Sequence, residues 1–170
     1  MKKIAIRDLK RRLVDGLKVL TGEGILSGSG HLSARIPGTE TFLINPRFAG
    51  VLAEPKDICT VNFAGKRIAG EGPIPSETAI HSAIYRSRPD VGSVLHCHAR
   101  YSILLGLLDI GLVPFNREAR IFADGVPIFP ESHGINSEEL AQRMVETIGS
   151  HYAILLRGHG CVVVGPGIEG

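Results

Sequence analysis

Leu9, Leu13, Leu17 and Leu20 recur at three- and four-residue intervals, Arg7, Lys10, Arg11 and Asp15 occupy positions between and around them, and Gly22 and Gly24 follow. That spacing predicts an amphipathic helix that packs by its leucine stripe and is ended by glycine. The pattern then shortens. Residues 31–36 and 41–44 flank Pro37-Gly38, and 58–63 and 66–69 flank Ala64-Gly65, so two hairpins are predicted. Asn45-Pro46-Arg47 between them reads as a loop, because proline biases the preceding residue away from helix. Ser76 reads as the N-cap of a helix beginning near Glu77, with Ile80 and Ile84 on its apolar face. Val91, Val94 and Leu95, after the Arg88-Pro89-Asp90 breaker, predict a buried strand leading into His96-Cys97-His98. Further on, residues 101–108 read as a short helix closed by Gly111 and Pro114, and Ile121-Phe122 and 126–129 as weak strands. Asn136 reads as a cap, with Glu139 at N3 and Leu140, Met144 and Ile148 on one helix face. Strands over 152–156 and 161–164 flank His159.

The strand at His96 changes the picture from packing to chemistry. Side chains at i and i+2 share a strand face, so His96 and His98 point the same way, about 7 Å apart along the backbone, and Cys97 points to the other face. Two imidazoles in an apolar strand each need a partner or cost about 1–3 kcal/mol, and a metal removes that cost. His159, set between Gly158 and Gly160, offers a third nitrogen on a loop that can be aimed, and Glu77 offers a carboxylate. Three histidines and a glutamate suit one divalent transition metal with an open position.

Composition narrows the classes. A chain of 170 residues with 44% hydrophobic and 21% charged content is expected to be one globular domain, 1–170, with a sizeable core. A net charge of +2 argues against nucleic acid, and Lys10-Arg11-Arg12 belongs to a solvated helix face. No apolar run reaches the roughly eighteen residues of a membrane span, and Met1-Lys2-Lys3 leads into more charge, so a cytoplasmic address is expected. Cys59, Cys97 and Cys161 have no paired spacing and read as small buried hydrophobes. The segment from Gly24 to Gly30 follows a helix rather than a strand and lacks the dinucleotide fingerprint, although such a loop can present N–H groups to an anion.

Glu77, then His96-x-His98, then His159-Gly160, together with Ser29-Gly30-His31-Leu32-Ser33-Ala34-Arg35, Leu43-Ile44-Asn45-Pro46 and Ile84-Tyr85-Arg86-Ser87-Arg88-Pro89-Asp90, resemble the class II aldolase/adducin family in order and in gaps. The resemblance runs from about Leu9 to Gly165. It implies an α/β fold, three layers α/β/α around a central, largely antiparallel sheet. It also implies His96, His98 and His159 on zinc, with manganese, iron or cobalt as alternatives, one ion per chain, and Glu77 as acid/base. A homotetramer with sites at subunit borders and a small-molecule substrate are implied as well. Members of the family generally continue past the equivalent of Gly165-Pro166-Gly167 with further helices, which this sequence does not contain.

The substrate loops separate the branches of the family. Sugar-phosphate aldolases carry asparagine where this chain has His31, a small pair where it has Arg47-Phe48, and two serines where it has Pro75-Ser76. Pro75 has neither N–H nor hydroxyl, so the phosphate cradle is altered. Ser29, Gly30, His31, Arg47 and Ser76 are the expected substrate contacts. Arg47 suits bidentate pairing with a carboxylate and Phe48 could lie against a ring, while a solvated loop arginine and a core histidine are the plainer assignments for Arg47 and His31. The Gly30-His31-x-Ser33-x-Arg35 form resembles members that decarboxylate hydroxylated aromatic acids, which favours a metal-dependent carbon–carbon lyase of that kind, acting through a metal-stabilised enolate-like intermediate. An aldolase or epimerase on a sugar or sugar phosphate is the alternative. Behind it stand a non-haem iron oxygenase of the same fold and a non-enzymatic adducin-like interaction domain.

Overall fold

The computed structural model describes residues 5–47 and 52–169. Eight strands form one sheet: β1 (His31–Arg35), β2 (Thr41–Ile44), β3 (Cys59–Asn62), β4 (Arg67–Ala69), β5 (Ser93–Cys97), β6 (Ile128–Phe129), β7 (Ala153–Leu156) and β8 (Gly160–Gly165). Their order across the sheet is β4-β3-β2-β1-β5-β8-β7-β6, and every pairing is antiparallel except β6 with β7. Both predicted hairpins are present, as β1–β2 and β3–β4.

Helices cover both faces. α1 (Ile6–Gly22) buries Leu9, Leu13 and Leu17. With α3 (Arg100–Leu108) it covers the face that carries Leu32, Ala34, Leu43, Cys97, Leu155 and Cys161. α2 (Thr78–Ser87) and α4 (Glu138–Ile148) pack on each other and on the opposite face, where Phe42, Ile44, Val61, Val94, Ile154 and Val162 meet Ile80, Ile84, Met144 and Ile148. This is the expected three-layer α/β/α arrangement. Alternation along β5 decides which side chain meets which layer: Val94 and His96 face α2, and Cys97 faces α1 and α3. None of the described helices is long and apolar enough to cross a membrane.

Several local expectations are corrected. Glu77, not Ser76, holds the cap position of α2, and no side-chain bond caps that helix; Thr78 Oγ1 donates instead to the Pro75 carbonyl at 2.6 Å. Ser137, not Asn136, caps α4, its hydroxyl accepting from Leu140 N–H, because the extended backbone of Ser137 lets its side chain turn back onto the first turn. Ile121 and Phe122 lie in a short 3₁₀ turn (Glu118–Phe122) rather than a strand. α3 ends at Asp109, whose left-handed backbone (φ 55°) breaks it before Gly111. In the glycine-rich loop the N–H groups of Gly24, Ile25, Leu26 and Gly30 are all spent on nearby carbonyls, so those four are not offered to an anion.

Candidate metal centre

Four side chains converge at one end of the sheet. β5 carries His96, His98 follows just past its end, the β7–β8 turn carries His159, and the cap of α2 carries Glu77. The turn is shaped by Gly158 in the left-handed region (φ +65°), with His159 N–H bonded back to Leu156. Gly160 lies against the end of β5, where a Cβ would collide with the Cys97 carbonyl oxygen and come within 3.1 Å of His98 Cδ2. Glycine there is what lets the two histidine-bearing segments close up.

The donor atoms gather tightly. His96 Nε2 lies 3.0 Å from His98 Nε2, and His98 Nε2 lies 3.2 Å from His159 Nε2. Glu77 Oε2 is 3.4 Å from His96 Nε2 and 3.5 Å from His159 Nε2, and all four donors fall within 4.8 Å of one another. Four ligands about 2.1 Å from a common centre stand roughly 3.4 Å apart in a tetrahedron, so the set has the size a zinc-like ion requires.

Protonation supports the same use. His96 Nδ1 is 3.0 Å from the Cys161 carbonyl, which only accepts, so the ring proton is on Nδ1 and Nε2 turns a lone pair to the cluster. His98 Nδ1 meets the Ser29 hydroxyl at 2.9 Å. Burial first, then the His96 and His159 rings, pushes the His98 imidazole down to about 4. Burial would raise the Glu77 carboxyl, but the adjoining His159 and His96 rings outweigh it and hold the group well below the usual carboxylate range. The outcome is lone pairs and negative charge pointed at one spot, which suits a cation. His159 Nδ1 is buried with no partner among the described residues.

Glu77 is held from behind. Its Oε1 accepts the Ile135 N–H at 2.7 Å, and Gly134 passes so close that a Cβ there would stand 3.4 Å from the same oxygen. Oε2 is thereby left to the histidines. The loop after β6 gave no signal of this in sequence, since a backbone N–H carries no residue identity.

Beside the donors lies a small cavity of about 60 Å³ lined by Ser29, Gly30, His31, Arg47, Pro75, Ser76, Glu77 and His98. All five expected substrate contacts are thus brought to one wall. Ser29 also touches His98 directly, and His31 is almost wholly buried, combining the core and wall assignments. Arg47 and Ser76 are exposed at the rim, and Phe48 lies outside the described residues. Three residues that the chemical reading of the sequence passed over, Ser33, His81 and Tyr85, form a buried polar run behind His31. Their period-two and i, i+4 spacing toward a shared face was the available signal.

Comparison with known proteins agrees with this frame. The chain belongs to the family described as class II aldolase and adducin N-terminal domain, whose model matches residues 11–170. It is 30% identical over 168 residues to a 3,4-dihydroxyphthalate decarboxylase of Arthrobacter keyseri, covering 89% of this chain and 67% of that protein. To an L-fuculose phosphate aldolase of Methanococcus vannielii it is 33% identical over 110 residues, covering 65% of this chain and 58% of the other. Among solved structures, YgbL of Klebsiella pneumoniae superposes with a TM-score of 0.83 at 26% identity, over 98% of this chain and 82% of that one. The named relatives, a decarboxylase and an aldolase, are lyases.

Proposed function

We propose that the protein is a divalent-metal-dependent lyase that decarboxylates a hydroxylated aromatic carboxylic acid. The observation that carries the proposal is the shared wall: Arg47 and His31 line the same small cavity as Glu77 and His98. A guanidinium suits a carboxylate, and the neighbouring imidazole suits a ring oxygen. The similarity to 3,4-dihydroxyphthalate decarboxylases supports the same substrate class.

His96, His98 and His159 would hold the ion, with Glu77 Oε2 completing the set when substrate is absent. When bound, a divalent ion there supplies Lewis acidity toward adjacent substrate oxygens. The chain's own groups do the rest. Arg47 would pair with a carboxylate of the acid and fix its ring in the cavity. Glu77 would accept the proton of a ring hydroxyl at Oε2. The bond from ring carbon to carboxylate then breaks, its electron pair stays with the ring, carbon dioxide leaves, and Glu77 returns the proton to that carbon. Ile135 N–H would hold the carboxyl in place through both transfers.

Carbon dioxide release from 3,4-dihydroxyphthalate by the zinc- or manganese-loaded protein tests the proposal. Aldehyde formation from fuculose 1-phosphate, with no carbon dioxide from any hydroxylated aromatic acid, would replace it with the aldolase reading that the Methanococcus relative favours.

A further inference from the structure

Behind the cavity wall a line of polar side chains runs into the apolar interior between β1 and α2. His31 Nδ1 lies 2.6 Å from His81 Nε2, His81 Nδ1 lies 2.6 Å from Ser33 Oγ, and Ser33 Oγ lies 2.7 Å from Tyr85 OH. His31 and Ser33 share a face of β1, and His81 and Tyr85 share a face of α2 one turn apart. All four are at least 98% buried. Polar groups so placed are costly unless each proton has an acceptor, so the order of donation along the line is constrained.

We propose that Tyr85, Ser33 and His81 form a hydrogen-bonded column that fixes the tautomer of His31, so that His31 presents Nε2–H to the cavity as a donor to an anionic oxygen of the substrate. Tyr85 is kept protonated chiefly by burial, so its hydroxyl must donate, and its near partner is Ser33 Oγ. Ser33 has one proton of its own. Its choices are His81 Nδ1 at 2.6 Å and the Val94 carbonyl at 3.4 Å, and the shorter contact takes it. His81 then carries its proton on Nε2 and gives it to His31 Nδ1, which leaves the His31 proton on Nε2. Burial keeps both rings neutral, with His81 down to about 3, so the column sets a direction of donation rather than a charge. His31 lines the cavity and its Nδ1 is taken, so Nε2 is the ring nitrogen that a molecule there can reach.

The reverse order sends His81 Nδ1–H to Ser33 Oγ and the Ser33 proton to the Val94 carbonyl at 3.4 Å, and it would make His31 Nε2 an acceptor. A carboxylate or phenolate oxygen in the cavity would be repelled by that lone pair. The column therefore favours anionic ligands without placing a second cation beside Arg47. His81, Ser33 and Tyr85 are positioning residues in this scheme, and His31 is the group that touches substrate. The identity of that substrate rests on the decarboxylase proposal above, whereas the tautomer does not.

Nitrogen NMR of the metal-loaded protein labelled in its histidine rings reads the tautomers directly, with His31 and His81 assigned from His31→Gln and His81→Gln. Protonated Nε2 and bare Nδ1 on both rings is the expected result. A His31 ring protonated at Nδ1 would overturn the column. A second arm measures binding of 3,4-dihydroxybenzoate, together with metal content. His81→Leu should weaken that binding about tenfold to a hundredfold, the usual weight of a hydrogen bond to a charged acceptor, with metal content unchanged, while His81→Gln, whose amide can still donate to His31 Nδ1, should recover most of it. Unchanged affinity in His81→Leu would also overturn the column. If the wild-type tautomers are as expected but dihydroxybenzoate does not bind, the column stands and the aromatic-acid proposal falls.

Discussion

Glu77 Oε1 accepts the backbone N–H of Ile135 at 2.7 Å, which leaves Oε2 facing His96 and His159 and divides the carboxylate into an anchored oxygen and one turned to the histidines. Replacing Glu77 by Gln keeps a carbonyl for Ile135 but removes the basic oxygen. Turnover of a hydroxylated aromatic acid should fall by about two to four orders of magnitude while the three histidines still retain metal. Rates measured at saturating metal, beside elemental analysis of the same samples, check this, and unchanged turnover would remove Glu77 from the proton transfers.

Arg47 stands at the cavity rim, outside the set formed by Glu77, His96, His98 and His159. Arg47→Ala should raise KM for the acid by about tenfold to a few hundredfold, since a charge-assisted hydrogen bond contributes on the order of 1.5–3 kcal/mol. Metal content should not move. A KM indifferent to the change for every acid tested would assign Arg47 to the solvated loop.

Gly160 permits the close approach of β8 to the end of β5, where a methyl group would strike the Cys97 carbonyl and crowd His98. Gly160→Ala should therefore both lower the melting temperature and loosen metal binding at His98. Gly167→Ala, where a Cβ meets nothing within 4 Å, is the matched control and should do neither. Equal metal affinity in both variants would show that the turn tolerates the displacement.

The fold was legible where periodicity and turn residues coincide. The leucine stripe of α1, the Pro37-Gly38 and Ala64-Gly65 hairpins and the apolar run into His96 each carry a local signal that tertiary packing did not override. The caps of α2 and α4 were misplaced by one residue because Ser76 and Asn136 both carry capping side chains, and only backbone geometry puts Glu77 and Ser137 in the cap positions. At the site, the histidines and Glu77 were visible through spacing. Their supports were not, because the Cys161 carbonyl on His96 and the Ile135 N–H on Glu77 are backbone groups. His81 looked like part of a packing helix, and only its pairing with His31 across the sheet–helix interface makes it polar machinery.

That burial also predicts a pH dependence of stability. Desolvation foremost, then the His96 ring, lowers His81 from 6.5 to about 3 in the folded protein. Below about pH 6.5 the unfolded chain takes up a proton at this residue and the folded chain does not, so its contribution to stability is present at neutral pH and is lost progressively as pH falls toward 3. Denaturant unfolding between pH 7 and 5 should show His81→Leu less pH-sensitive than wild type by about 1.4 kcal/mol per pH unit below 6. Parallel profiles for the two proteins would mean that His81 titrates normally in the fold.

The central claim is that Glu77, His96, His98 and His159 form one divalent-metal centre, and elemental analysis of the purified protein before and after dialysis against chelator tests it most directly. About one divalent ion per chain is expected, restored by added zinc or manganese after chelation and reduced to background in His98→Ala and His159→Ala proteins that keep their fold by circular dichroism. Metal below a tenth of an ion per chain after incubation with excess zinc or manganese, or full occupancy in both histidine variants, would contradict the account.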